Sequence, residues 1–242
     1  PYVGDNAFAH KGGLHVSAVM KDPSTYEHVK PENTGNNRKI LISNQAGKSN
    51  LLSRLSSVGI NIDNNDKRLG HLLDAVKEKE FNGFSYDGAG ASFELLAKKI
   101  LDNIPNFFSV EDYNISIKKG HPFNQKDINS EAKIILNVDG RKIESTGLGN
   151  GPVNALDIAL RDDLGLYDKY ISDLVLVDYK VRILNGGTEA ITRVVIESID
   201  DEGKSWFTVG VSSNIVDASL IALMDSIQYK LIKDEAPLPK KI

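Results

Sequence analysis

GLGNGPVNALDIAL, residues 147–160, is answered by GVSSNIVDASLIAL, residues 210–223. Laid together at an offset of 63 positions, Ala155, Ile158, Ala159 and Leu160 fall on Ala218, Ile221, Ala222 and Leu223, and Gly140 falls on Gly203. A duplication fixes the architecture of both copies at once. Upstream, EDYNISI from Glu111 has a counterpart in VDYKVRI from Val177, and two alternating apolar runs separate each from its corner of Gly, Asn or Ser. The unit reads strand, strand, strand, helix, twice over.

The strands carry a period of two. In AKIILNV from Ala132, Ile134, Leu136 and Val138 alternate with their neighbours, and TRVVIESI from Thr192 does the same, as expected of strands with one covered face. Asp139-Gly140 and the stretch Asp200 to Gly203 predict hairpin turns. RKIESTGL and KSWFTVGV then lead back to the two corners. Two such units are expected to form three-stranded sheets backed by helices and related by a pseudo-two-fold. Ala155/Ala159 and Ala218/Ala222 sit four apart and give each helix a small-residue stripe for close approach to its sheet.

Each helix begins where a corner ends. Such a start points backbone N–H groups outward with the positive end of the helix dipole behind them, which suits a carboxylate. Pro152 fits the first turn, having no N–H to leave unpaired, with Asn150 or Gly151 as the cap.

The first hundred residues read differently. NAFAHKGGLHVSAVMK from Asn6 predicts a helix with Phe8, Val16 and Val19 inward, weakened in its middle by Gly12-Gly13 and ended by Asp22-Pro23. STYEHVKPENTGNNRK is polar and turn-rich, an arm expected to take its shape from contact with something else. Tyr26 and Glu27, beside His28, read either as solvated turn residues or as contacts for another polypeptide. Three helices follow. The first runs from Asn44 with Leu51, Leu52, Leu55 and Val58 inward and Gly59 as its stop; the second runs from Asp66, its cap, with Leu69, Leu72, Leu73 and Val76 inward and Gly83 as its close. The third starts at Gly90, with Phe93, Leu96, Ala97 and Ile100 on one face. The proline of IPNFFSV places a boundary near residue 108, and EAPLPKKI from Glu235 reads as a poorly ordered tail.

At 242 residues the chain has length for a substantial core and for more than one domain. A formal charge of −4 offers no electrostatic footprint for nucleic acid or an anionic membrane. No apolar run approaches the roughly 18 residues of a membrane span, and the first residues, PYVGDNAFAHKGG, do not read as a signal peptide. The absence of cysteine removes disulfides and thiolate chemistry, and fits a reducing cytoplasm. The chain opens at Pro1 without a methionine, from which a longer parent is expected.

Little in the chain resembles an active centre. On one helix, His10 and His15 would stand about 140° apart, and no Asp, Glu or Cys completes a local metal set. There is no GxSxG elbow, and the glycines at 149 and 151 lack the third glycine of a dinucleotide fingerprint.

AFAHKGGLHVSAVMKDPSTYEHVKPENTGNNRKILISNQAGKSN closely resembles the segment that follows the catalytic barrel in the acyl-transferring enzymes that include 2-isopropylmalate synthase, homocitrate synthase and (R)-citramalate synthase. LDAVKEKEFNGFSYDGAGASFELL, GNGPVNALDIALR, DYKVRILNGGTEAITRVVIES and WFTVGVSSNIVDASLIALMDSIQYKL are most similar to the citramalate synthase branch. The resemblance covers nearly the whole chain.

What the resemblance implies is an α+β chain in four parts: accessory subdomains at 1–52 and 53–107, a regulatory domain of two βββα units at 108–234 and a tail at 235–242. The parent would condense acetyl-CoA with a 2-oxo acid, pyruvate in the citramalate branch, using a divalent metal held in an upstream barrel. This segment alone would hold no cofactor and would not turn over substrate. A histidine and a tyrosine of the first accessory subdomain reach the partner subunit's barrel in the family, and they match His15 and Tyr26. A histidine can move the acetyl methyl proton and a phenol can hydrogen-bond the reacting carbonyl.

The regulatory domain of the family forms homodimers and binds the end-product amino acid, isoleucine or leucine. The matching positions are Gly149, Asn150, Gly151, Pro152 and Val153 at the first corner and Ser212, Ser213, Asn214 and Ile215 at the second, with Val153 and Ile215 for a branched side chain. Ser212-Ser213-Asn214 stands where the first corner has Gly149-Asn150-Gly151, which leaves room for one corner to be purely structural. Three readings follow: feedback by isoleucine or leucine, dimerisation with an empty pocket, and a free-standing amino-acid-binding module. A 2-isopropylmalate synthase with leucine as effector is the alternative parent.

Overall fold

Gly13 opens the first helix instead of weakening its middle. The computed structural model describes residues 2–4, 6–11, 13–41, 48–117, 130–184, 187 and 190–239. In it the expected helix from Asn6 is divided: Ala9–Lys11 is a short strand, β1, and α1 runs only over Gly13–Lys21. A glycine inside a helix costs about 1 kcal/mol relative to alanine, so the helix begins where that cost is least. Phe8, Val16 and Val19 are nonetheless buried, as the apolar pattern requires. β1 pairs in parallel with β2, Lys39–Leu41, at the far end of the arm.

The chain divides into two compact units, Pro1–Asp102 and Asn103–Ile242. In the first, α2 (Lys48–Ser57), α3 (Arg68–Phe81) and α4 (Gly90–Leu101) bury Leu51, Leu55, Leu69, Leu72, Val76 and Phe93. Of the helix expected from Asn44, residues 44–47 lie outside the described residues. The cap position of α3 falls on Lys67, one residue after the expected Asp66, whose carboxylate nonetheless accepts the Arg68 N–H at 2.8 Å. On α4 the buried face is centred on Phe93, Leu95, Ala97 and Leu101, whereas Leu96 and Ile100 are half-buried. The expected face was therefore rotated by about one residue.

The second unit is α+β. β3 (Phe108–Ile117), β4 (Ser130–Val138) and β5 (Arg141–Gly149) form one antiparallel sheet in that order, followed by α5, Pro152–Asp162. After a short helix α6 (Asp168–Ile171), the second copy repeats the plan with β6 (Val175–Ile183), β7 (Thr192–Ile199), β8 (Ser205–Ser212) and the 19-residue α7, Ile215–Lys233.

The copies match in small features. The register slips between Val110 and Asp112 in one and between Leu176 and Asp178 in the other. At each slip the aspartate accepts the N–H of the following tyrosine, Tyr113 or Tyr179. Ser145 donates to the Ala159 carbonyl, and its counterpart Thr208 donates to that of Ala222. A Cβ on Gly147 would stand 2.1 Å from the Ala155 carbonyl oxygen, and one on Gly210 would stand 1.9 Å from that of Ala218. Glycine on the strand and alanine on the helix thus form one device, which brings helix backbone against sheet backbone. The Asp139-Gly140 turn has positive φ at both residues, 51° and 78°, the combination that a two-residue hairpin loop requires.

The start of the tail departs from expectation. Glu235 adopts a left-handed φ of 52°, the Ala236 N–H returns to the Leu231 carbonyl, and Ala236 is buried. The Tyr167 hydroxyl donates to the Pro237 carbonyl at 3.2 Å, so this end is docked down to that point. Residues 240–242 lie outside the described residues.

Candidate functional site

His15 projects from α1, and Tyr26 closes a 3₁₀ turn, Pro23–Thr25, that Asp22 caps from the end of that helix. The turn folds the chain back so that the two rings meet, with centroids 4.3 Å apart and planes inclined by 31°. Both side chains remain exposed. Imidazole and phenol thus form an adjacent pair at the surface. His10, five positions earlier, lies on β1 and faces Glu27. Among the described residues, no group of three or more His, Cys, Asp and Glu side chains stands close enough to hold a metal ion.

In the second unit, each helix is bonded to the entry of the other copy's first strand. Gln228 of α7 accepts the Phe107 N–H at 2.9 Å and donates to the Phe108 carbonyl at 3.0 Å. Arg161 of α5 donates to the carbonyl of Leu174, just before β6. These ties create two related junctions, α5 with β6 and α7 with β3.

The junctions differ. Between α5 and β6 lies a cleft of about 500 Å³ lined by Val153, Asn154, Asp157, Arg161, Leu174, Val175, Leu176 and Tyr179. Its apolar walls carry a carboxylate and a guanidinium side by side, Asp157 and Arg161, bonded at 2.8 Å. Burial pushes the Asp157 carboxyl above its usual pKa, and Arg161 opposes that shift. At the other junction the Tyr113 hydroxyl donates to Asp217. Burial first, and the neighbouring Asp217 second, push that phenol up to about 12.

Sequence differences between the copies account for this. At an offset of 63, Leu156, Asp157 and Arg161 become Ser219, Leu220 and Met224. Tyr179 meets Ser219, a hydroxyl on the helix of its own copy, at 2.8 Å. Tyr113 has Leu156 at that place and reaches across to Asp217 instead.

Of the corner residues singled out from sequence, only Val153 lines the cleft. Gly149 is buried beneath α5, where a Cβ would stand 2.5 Å from the Ala155 nitrogen. Pro152 occupies the first turn of α5, and Gly151 caps it through extended backbone without a side-chain bond. Asn150 donates its N–H to the Asn154 side chain at 3.2 Å. The second corner closes on itself: Asn214 accepts the Val216 N–H at 2.9 Å, and Ser212 accepts that of Asn214 at 3.1 Å. Ser213 and Ile215 are exposed. Sequence reading missed Asp157, Arg161 and Tyr179. Comparing the copies position by position at the charged helix residues would have found the first two.

These features define a class, a helical unit followed by a domain of two βββα copies, each helix bonded to the other copy's first strand. The chain belongs to the family described as the LeuA allosteric (dimerisation) domain, whose model matches residues 88–231. A second family model, described as homocitrate synthase post-HMGL domain-like, matches residues 2–82. Among curated relatives, an (R)-citramalate synthase of Aquifex aeolicus is 48% identical over 237 residues, covering 97% of this chain and 44% of the relative. Another, of Geobacter sulfurreducens, is 47% identical over 236 residues, covering 97% and 44%. One of Sulfolobus acidocaldarius is 41% identical over 243 residues. The chain therefore spans less than half the length of these relatives. Among the described residues, no helix is long and apolar enough to cross a membrane.

Proposed function

We propose that this chain is the accessory and regulatory region of a cytoplasmic citramalate synthase, an acyltransferase that joins acetyl-CoA to pyruvate. Its second unit forms homodimers and binds a branched-chain amino acid as feedback effector. The observation that carries the effector reading is the asymmetric pair of junctions, one bridged by the Tyr113–Asp217 hydrogen bond and the other a cleft between α5 and β6 that carries both Asp157 and Arg161. In the open cleft, Asp157 suits an α-ammonium, Arg161 suits an α-carboxylate, and Val153, Leu174 and Leu176 suit a short aliphatic side chain. The effector thus sits beside the first corner, against the face of α5 that carries Asp157 and Arg161, and the second corner is structural.

Residues 1–52 and 53–107 serve as accessory subdomains. The His15–Tyr26 pair is presented to the partner subunit's barrel, where the imidazole moves a proton and the phenol holds the reacting carbonyl. The segment alone is inactive.

Thermal unfolding of the chain with isoleucine or leucine tests the effector reading. A ligand at about 100 times its Kd adds roughly 2.7 kcal/mol of stability. A shift with isoleucine supports feedback in a citramalate synthase, and one with leucine alone favours a 2-isopropylmalate synthase. No shift with either leaves dimerisation as the function of the second unit.

A further inference from the structure

Tyr26 is exposed, and the neighbouring Glu27 is not. Glu27's side chain is 3% exposed and gathers three hydrogen bonds. Arg38 grips it with both arms of its fork, Nε to Oε1 at 2.7 Å and a terminal nitrogen to Oε2 at 2.6 Å, and His10 Nε2 meets Oε1 at 2.9 Å. These partners come from opposite ends of the arm. His10 is the middle residue of β1, whose chain runs directly toward α1 and His15, and Arg38 immediately precedes β2, which pairs with β1. The arm between Asp22 and Arg38 is therefore closed at Glu27 onto the strand pair that anchors α1. Arg38 holds the Glu27 carboxyl below its usual pKa, as a tight bidentate pair requires.

We infer that Glu27 is a positioning residue that, through Arg38 and His10, fixes Tyr26 on His15 and so sets the geometry of the pair. The Asp22-capped turn holds the backbone at Tyr26 and Glu27, whose N–H groups both meet the Pro23 carbonyl, at 3.2 and 3.0 Å. What the turn leaves open, the seating of this corner against β1 and β2, is supplied by the Glu27 carboxylate through Arg38 and His10. This inference rests on the reading of His15 and Tyr26 as the arm's reactive pair. The arm then has a shape of its own before any partner subunit meets it.

The test has two arms. In this chain, nuclear Overhauser contacts between the His15 and Tyr26 rings report the stack directly. They are expected to vanish in Glu27→Gln and Arg38→Lys, which break the two-pronged pairing, and to return partly in Glu27→Asp. In the parent enzyme carrying this chain in full, Glu27→Gln is expected to lower kcat about 10- to 100-fold with KM changed less than about 2-fold, as misplacement of a reacting group does. Ring contacts and kcat unchanged in Glu27→Gln would overturn the inference. So would unfolding of the first unit in both Glu27→Gln and Arg38→Lys, because Glu27 would then bear the fold and not the pair. Wild-type kcat in His15→Ala would instead defeat the reading of the pair, and the ring contacts would still decide what holds Tyr26.

Discussion

The hydroxyl of Tyr113, on the first strand of one copy, donates to the carboxylate of Asp217, on the helix of the other. Its counterpart Tyr179 stays within its own copy, on Ser219, and leaves Asn154 facing an open cleft. A calorimetric titration with the effector is therefore expected to read one ligand per chain. Tyr113→Phe is expected to cost about 1.5 to 3 kcal/mol, the range for a hydrogen bond to a charged group, and to leave the stoichiometry at one. The unlocked junction then offers the Asp217 carboxylate to an ammonium, but Met224 stands where the first copy has Arg161, so it offers no cation to the α-carboxylate of a zwitterion. Two ligands per wild-type chain would refute the assignment of the Tyr113–Asp217 junction as ligand-free.

The second copy also supplies a gentle way to abolish binding. Asp157→Leu with Arg161→Met gives α5 the residues that α7 carries at the same positions, so the fold already tolerates them in this setting. Removing both members of a partly buried ion pair is far less costly than removing one. The double variant also loses the Arg161 bond to the Leu174 carbonyl, so it is expected to unfold about 1 to 2 kcal/mol below wild type and to lose the stabilisation by isoleucine, whereas Asp157→Ala alone leaves the guanidinium only that carbonyl. Retention of the thermal shift in the double variant would place the effector elsewhere.

Gly147→Ala and Gly210→Ala address the packing beneath the helices. The added methyl would meet backbone, at 2.1 Å in one case and 1.9 Å in the other, and backbone cannot rotate aside. Each is expected to cost ~3 kcal/mol, at the upper end of overpacking effects, read as a fall in urea midpoint. Gly151→Ala is the control. Nothing lies within 4 Å of a Cβ there, and its φ of −162° is ordinary extended backbone.

The doubled βββα plan was legible because the period of two, the turn at Asp139-Gly140 and the glycine–alanine matches are local signals that survive duplication. Helix faces were legible to within a residue: Leu95 and Leu101 are buried on α4 where Leu96 and Ile100 were expected, since a short helix with many apolar positions admits neighbouring faces. The cleft was not legible. Val153 was in view because it lies beside a corner, whereas Asp157 and Arg161 have the spacing of any i, i+4 pair on a helix, and their meeting with Tyr179 depends on how two distant segments pack. The arm misled for a related reason. Its composition is that of a loop, and nothing local pairs Glu27 with Arg38, eleven residues on, or with His10, seventeen residues back.

The far end of α7 sets the response to pH. Lys230 is buried and bonds Asp234 at 2.7 Å and Asp173 at 2.9 Å, and Lys233 pairs with the buried Asp200. Burial alone would raise Asp173 and Asp200, but the ammonium groups outweigh it and both lie below the ordinary 3.8. Burial likewise opposes the charge on Lys230, and its carboxylate partners outweigh that and raise it above 10.5. A depressed carboxylate stabilises the fold fully above its unfolded pKa and loses that contribution as pH falls through the folded value; a raised lysine stabilises below its unfolded pKa and loses that contribution as pH rises through the folded value. The urea midpoint is therefore expected to hold level from about pH 5 to pH 9 and to fall below about pH 4 and above about pH 10.5. Asp200→Asn is expected to lower the plateau and make the acid limb shallower, because the variant has already lost one of the charges that acid would remove. An acid limb equally steep in that variant would assign the effect to carboxylates elsewhere in the chain.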